Sequence, residues 1–124
     1  MGKTFAEKVL GARVGREVSA GEIVTVKPDY VMSHDNSAAI SKTFRSIGVE
    51  RVEDPGRIVI VLDHCVPAAG QKYAQNHKDV REFVRDQGIE NFFDINRGIC
   101  HQVLPEEGFA LPGRLILGSD SHTT

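Results

Sequence analysis

Cysteine is scarce. Cys65 and Cys100 are the two in 124 residues, and they stand far apart with no Cys-x-x-Cys spacing. That excludes a disulfide framework and makes reduced thiols in a cytosolic setting the expectation, each thiol reading first as a small buried apolar group. No stretch approaches the roughly 20 apolar residues of a membrane-spanning helix, and Met1 to Glu7 lack the apolar core of a secretory leader. Neither sign of charge dominates. Fifteen Lys and Arg against 17 Asp and Glu give a net charge of -2, which leaves no basic footprint for nucleic acid or an anionic membrane. Repeats, low-complexity tracts and linkers are also missing. With 40% hydrophobic and 26% charged residues, the chain fits one soluble domain with a modest core, its partner a small molecule or another protein.

What is present alternates between strand and helix patterns. Thr4-Phe5-Ala6-Glu7 has capping-box spacing and opens a short helix ending near Gly11 or Gly15. Ile23 to Lys27 reads as a strand closed by Pro28, and Tyr30-Val31-Met32 as a second short apolar run. From Ser37 to Ile47, Ile40, Phe44 and Ile47 share a helical face before Gly48. Arg57 to Leu62 is a β-branched run suited to a strand covered on both faces. Ala68 to Gln87 forms a helix with Tyr73, Val80, Phe83, Val84 and Gln87 near one face, stopped by Gly88. Ile89 to Ile95 is a further apolar run. Pro105 and Pro112-Gly113 bracket a connecting segment, and Arg114 to Leu117 is the closing strand. This order predicts an α/β fold, a mostly parallel sheet flanked by helices and joined by right-handed crossovers.

Four of the five histidines, His34, His64, His101 and His122, follow apolar runs or sit beside glycines, where strands should end. Three have an acid close by: His34-Asp35, Asp63-His64 and Asp120-Ser121-His122. In a parallel sheet the carboxyl ends of the strands share one edge, where these groups can converge. A carboxylate bonded to an imidazole fixes its tautomer and stabilises the imidazolium, which equips the pair for proton transfer near neutral pH. Plainer readings stand beside this one. Asp35-Asn36 and Asp120-Ser121 are ordinary helix N-caps, and His77, between Asn76 and Lys78, reads as a solvated residue. Two chemistries stay open on the residues alone: a metal-dependent hydrolase using Asp63, His64, His101, Asp120 and His122 as donors, or a lyase that dehydrates a hydroxy acid with little direct metal contact. A non-catalytic docking module, using the sheet face left open beside the closing strand, is a third reading.

Five stretches carry a resemblance: Thr4 to Leu10, His34-Asp35-Asn36, Val61 to Pro67, Arg97 to Glu106 (with Gly-Ile-Cys-His-Gln-Val-Leu-Pro-Glu), and Gly118 to Thr123. They occur in the order found in the amino-terminal part of 3-isopropylmalate dehydratase large subunits, and the chain resembles that family of the aconitase superfamily. Homoaconitase and 2-methylmalate dehydratase large subunits share nearly the same motifs. The resemblance implies an aconitase-like α/β/α domain, incomplete at its carboxyl end, occupying residues 1–124. It also implies a cytoplasmic hydro-lyase of leucine biosynthesis that moves a hydroxyl between adjacent carbons of a dicarboxylic or tricarboxylic acid at a [4Fe-4S] cluster. By position, Asp63-His64 resembles the pair whose imidazole protonates the departing hydroxyl, and His101 and Asp120 resemble a second catalytic pair. Ser121 and His122 resemble substrate-facing groups. His34 stands where aconitases proper have a substrate-binding glutamine, a departure from the pattern. Cys65 and Cys100 do not match the family's cluster cysteines, so no metal ligand is assigned to this chain. The cluster ligands, the remainder of the large subunit and the small, swivel-domain subunit are expected outside it, and the isolated chain is expected to be inactive.

Overall fold

The computed structural model describes residues 2–123. Thr124, at the end of the last motif, lies outside the described residues. The order is α1 (Phe5–Val14), β1 (Tyr30–Ser33), α2 (Ser37–Ser46), a 3-10 turn (Pro55–Arg57), β2 (Ile58–Val61), α3 (Gln71–Gln87), β3 (Phe92–Phe93), α4 (Cys100–Glu106) and β4 (Ile116–Gly118). The strands lie in the order β3-β2-β1-β4, and every pair is parallel.

β2 sits at the centre because its residues suit two apolar faces at once. Side chains alternate across a strand. Ile60, with Leu62 just beyond the strand, packs with Ala38, Val80, Phe83, Val84 and Ile89 under α2 and α3. Val59 and Val61 join Met32, Cys100, Val103 and Leu104 under α4 on the opposite face. The chain therefore runs outward from β1 through β2 to β3, then crosses back under the sheet through α4 to place β4 on the other side of β1. Strand order thus reverses between β1 and β4, and the carboxyl edge beside such a reversal is where open α/β sheets bind ligands.

α1 has the capping box read from the sequence: Thr4 accepts from the Glu7 amide, Glu7 accepts from the Thr4 amide, and Gly15 ends the helix in the left-handed region. Arg13 anchors it, donating to both Asp29 oxygens and to the Gly113 carbonyl. Asp29 in turn accepts from the Leu115 amide at 2.7 Å, and Arg13 first, then this amide, lowers its carboxyl to about 2.

Three expectations are corrected. Ile23–Lys27 is not a strand: Val24 and Val26 are half-buried between exposed neighbours, but no ladder forms, and Ile23 is 97% exposed. The face of α2 carrying Ile40, Phe44 and Ile47 is not the buried one. Ser37, Ala38 and Ser41 are buried, and Ile40 looks into an apolar groove over β1 and β4 that no helix of the described residues covers. The run 89–95 pairs only at Phe92–Phe93. The segment between Pro105 and Pro112-Gly113 is a connection as expected, preceded by α4, whose Pro105 lacks the N–H that would bond back to residue 101.

Candidate active site

Short turns at the carboxyl ends of β1, β2 and β4 deliver most of the polar residues. β1 ends in His34, Asp35 and Asn36; β2 runs through Leu62 into Asp63, His64 and Cys65; β4 runs through Ser119 into Asp120, Ser121 and His122. Asn36 ties two of these turns together, donating to Ser119 Oγ at 3.1 Å. His101 comes from the first turn of α4 instead of a strand end, a correction to the expected placement.

The side chains form a continuous path. His64 Nδ1 lies 2.6 Å from Asp63 Oδ1, and His64 Nε2 lies 3.1 Å from Asp120 Oδ2. The other Asp120 oxygen lies 2.7 Å from His101 Nε2 and accepts the His122 amide at 2.8 Å. The second oxygen of Asp63 accepts the Cys100 amide at 2.5 Å, so one carboxylate both orients His64 and receives the start of α4. Asp63, His64, Ile99, Cys100, His101, Asp120 and His122 line a cleft of about 260 Å³. Ser121 and His122 stand at its exposed side, with Ser121 Oγ 3.1 Å from His122 Nδ1.

The charges follow from these contacts. Asp63 first, with Asp120 adding to it against partial burial, raises His64 above the ordinary histidine value. The His122 amide, followed by His101 and His64, holds the Asp120 carboxyl at about 2. His34 stacks on His64 with ring centroids 3.8 Å apart and planes 21° from parallel. Burial, then the neighbouring His64 charge, lowers the His34 value. Its Nδ1 is buried and has no hydrogen-bond partner among the described residues.

The path brings together Asp63, His64, His101 and Asp120, with His34 against one end and Ser121 and His122 at the other. Asp35, expected either as a partner of His34 or as a helix cap, pairs with His77 instead, and His77 was missed. Asp35 is not a helix cap: it is buried and accepts the amides of Asp63, His64 and Cys65. His77 is not solvated but 4% exposed, its Nε2 2.8 Å from Asp35 Oδ1. The signal was its spacing, since residues 77, 80 and 84 share one helical face and Val80 and Val84 are core.

Potential ligand atoms of His34, Asp35, Asp63 and His64 lie within 4.8 Å of one another. They make a poor cation site: both Asp35 oxygens receive N–H groups, and both His64 nitrogens face carboxylates. The two thiols do not fit an iron–sulfur cluster, whose ligands are thiolates. Burial, and then Asp63, pushes Cys100 up to about 12, and burial raises Cys65.

A parallel α/β sheet carries linked carboxylate–imidazole pairs at its carboxyl edge, groups of the kind that transfer protons. Residues 7–124 match the sequence model of the aconitase family (aconitate hydratase), and the chain belongs to that family. It is 51% identical over 124 residues to 3-isopropylmalate dehydratase large subunit 1 of Methanopyrus kandleri, an alignment covering 99% of this chain and 30% of that protein. It is 49% identical over 125 residues to the probable 3-isopropylmalate dehydratase large subunit of Methanothermobacter thermautotrophicus, with 99% and 30% covered. Identity is 52% over 96 residues to the probable methanogen homoaconitase large subunit of Methanosarcina mazei, covering 77% of this chain and 25% of that one. The chain thus spans under a third of the length of these relatives.

Proposed function

We propose that this chain supplies the proton-handling side of a cytosolic hydro-lyase that interconverts 2-isopropylmalate and 3-isopropylmalate by dehydration and rehydration in leucine biosynthesis. The observation that carries this reading is the path Asp63–His64–Asp120–His101 opening onto the cleft. Hydroxide is a poor leaving group, so the reaction needs an acid at the departing oxygen. Asp63, bonded to its Nδ1, biases His64 toward the protonated form. Nδ1–H stays on Asp63 while Nε2, leaving its contact with Asp120, gives its proton to the hydroxyl as the C–O bond breaks, so the ring ends neutral and in a fixed tautomer; the proton of the adjacent carbon goes to a base that we place outside this chain. In the reverse direction Nε2 takes the proton back. Asp120, ionised throughout the neutral range, fixes His101 beside His64 through its other oxygen. Ser121 and His122 are the groups for a substrate carboxylate, and His34, stacked on His64, limits how that ring can turn.

The family resemblance implies a [4Fe-4S] cluster in the complete enzyme, and the thiols here do not fit as its ligands. We therefore place its ligands in other parts of the large subunit, and we assign the small subunit as a further partner. The name of the Methanosarcina mazei relative favours homoaconitase as the second reading, and assays with both acids separate the two.

The test is His64→Gln in the assembled enzyme. The expected result is a fall in kcat of about 10²- to 10⁴-fold with little change in KM, the loss typical of removing a general acid. A variant with the parent rate overturns the assignment.

A further inference from the structure

We propose that Asp35, held by His77, is the positioning carboxylate of this site, fixing the backbone of residues 63–65 so that the His64 ring spans Asp63 and Asp120. Three consecutive amides converge on it: Asp63 N at 3.0 Å and His64 N at 2.8 Å on Oδ2, and Cys65 N at 3.3 Å on Oδ1. His77 Nε2 donates to Oδ1 from α3 at 2.8 Å. The carboxylate thus joins the end of β1, the turn after β2 and the middle of α3.

Burying a carboxylate is costly unless it is paired and fully bonded. Asp35 is 8% exposed and His77 4%. The amides answer that cost locally, but their geometry does something a neutral cap would not: a turn whose three amides share one acceptor has little freedom to rotate. The turn so fixed is the one that carries His64. The neighbouring β1–α2 junction is closed by an uncharged contact instead, Ser33 Oγ to Ser37 Oγ at 2.6 Å, so a buried charge is not a general requirement of these turns. Asp35 touches none of the cleft-lining side chains through its own carboxylate, and neither it nor His77 lines the cleft. Their influence passes through the His64 backbone.

This inference rests on the proposed role of His64 for its functional meaning, but its geometry is testable without turnover. The experiment is ¹⁵N NMR of the 124-residue chain with and without His77→Ala, His77→Gln and Asp35→Asn. Gln retains a donor near the position of the His77 Nε2. In His77→Ala we expect the titration midpoint of the His64 ring to move toward that of free imidazole, and hydrogen-exchange protection of the 63–65 amides to drop by about tenfold or more, while Val80 and Val84 stay protected. In His77→Gln both readouts return toward the parent. If His77→Ala does not fold, Asp35→Asn, which keeps one acceptor oxygen and turns an amide group toward the donors, is expected to show the same selective change. Uniform loss of protection with an unchanged His64 midpoint, or no rescue by Gln, overturns the proposal. Full turnover by His64→Gln would instead overturn the functional reading and leave these NMR outcomes as they are.

Discussion

Asp120 meets two imidazoles and a backbone amide with one carboxylate, and its titration sets how the site responds to acid. Its folded value, about 2, is below the ordinary 3.8, so its contribution to stability is present above 3.8 and is lost as the pH falls through 2. His64 has the opposite sign: raised above 6.5 in the fold, it contributes fully below 6.5 and loses that contribution as the pH rises through its folded value. Both contributions coexist between about pH 4 and pH 6.5. Asp120→Asn is therefore expected to melt below the parent in that window, with the gap closing toward pH 2; a gap constant from pH 6 to pH 2 in thermal melts would refute the coupling. At this scale the sequence was legible where partners are neighbours, as in Asp63-His64. It was not legible where one carboxylate serves residues 28 to 42 positions away, as Asp35 does, because polar neighbours on α3 hid the buried position of His77.

Secondary elements were readable where their stop signals and burial agreed. Gly15 and Gly88 end α1 and α3 at φ of 68° and 69°, and the run at Ile58–Val61 is the central strand because both its faces are apolar. Two segments misled for physical reasons. Ile23–Lys27 has the alternation of a strand but joins neither free edge of the sheet and leaves Ile23 97% exposed, and the apolar run 89–95 is extended in pattern but pairs only at Phe92–Phe93. The elements also predict a ranking of substitutions. Leu62 is fully buried between β2 and α3, so Leu62→Ala should cost about 2–5 kcal/mol in urea melts, through lost transfer energy and the cavity left behind. Thr4→Ala removes the acceptor of an exposed capping box and should cost only about 0.5–2 kcal/mol. An equal cost for the two would contradict the core described here.

Across the whole molecule, cover over the sheet is uneven, and that shapes its surface. One face is closed by α4 over β1 and β2; the other is closed by α2 and α3 over β2 but lies open over β1 and β4. The result is an apolar groove of about 450 Å³ bordered by Val31, Ile40, Phe44, Ile58, Phe83 and Leu117. Leu117, on the edge strand β4, is 63% exposed, and Ile40 on the facing helix is 42% exposed. A contiguous apolar surface of this kind binds apolar probes, whereas one exposed leucine contributes little to folding. Leu117→Lys is therefore expected to shift urea stability by no more than about 0.5 kcal/mol while clearly lowering the fluorescence of a bound apolar dye such as ANS. Ile40→Lys, on the opposite wall, should lower it as well. Dye binding that ignores both substitutions would mean that the groove is not the accessible apolar surface, and a loss of several kcal/mol would mean that Leu117 belongs to the core. Because the groove lies on one face of the sheet and the His64 cleft at its carboxyl edge, neither substitution should move the His64 titration, which makes the same NMR spectra an internal control.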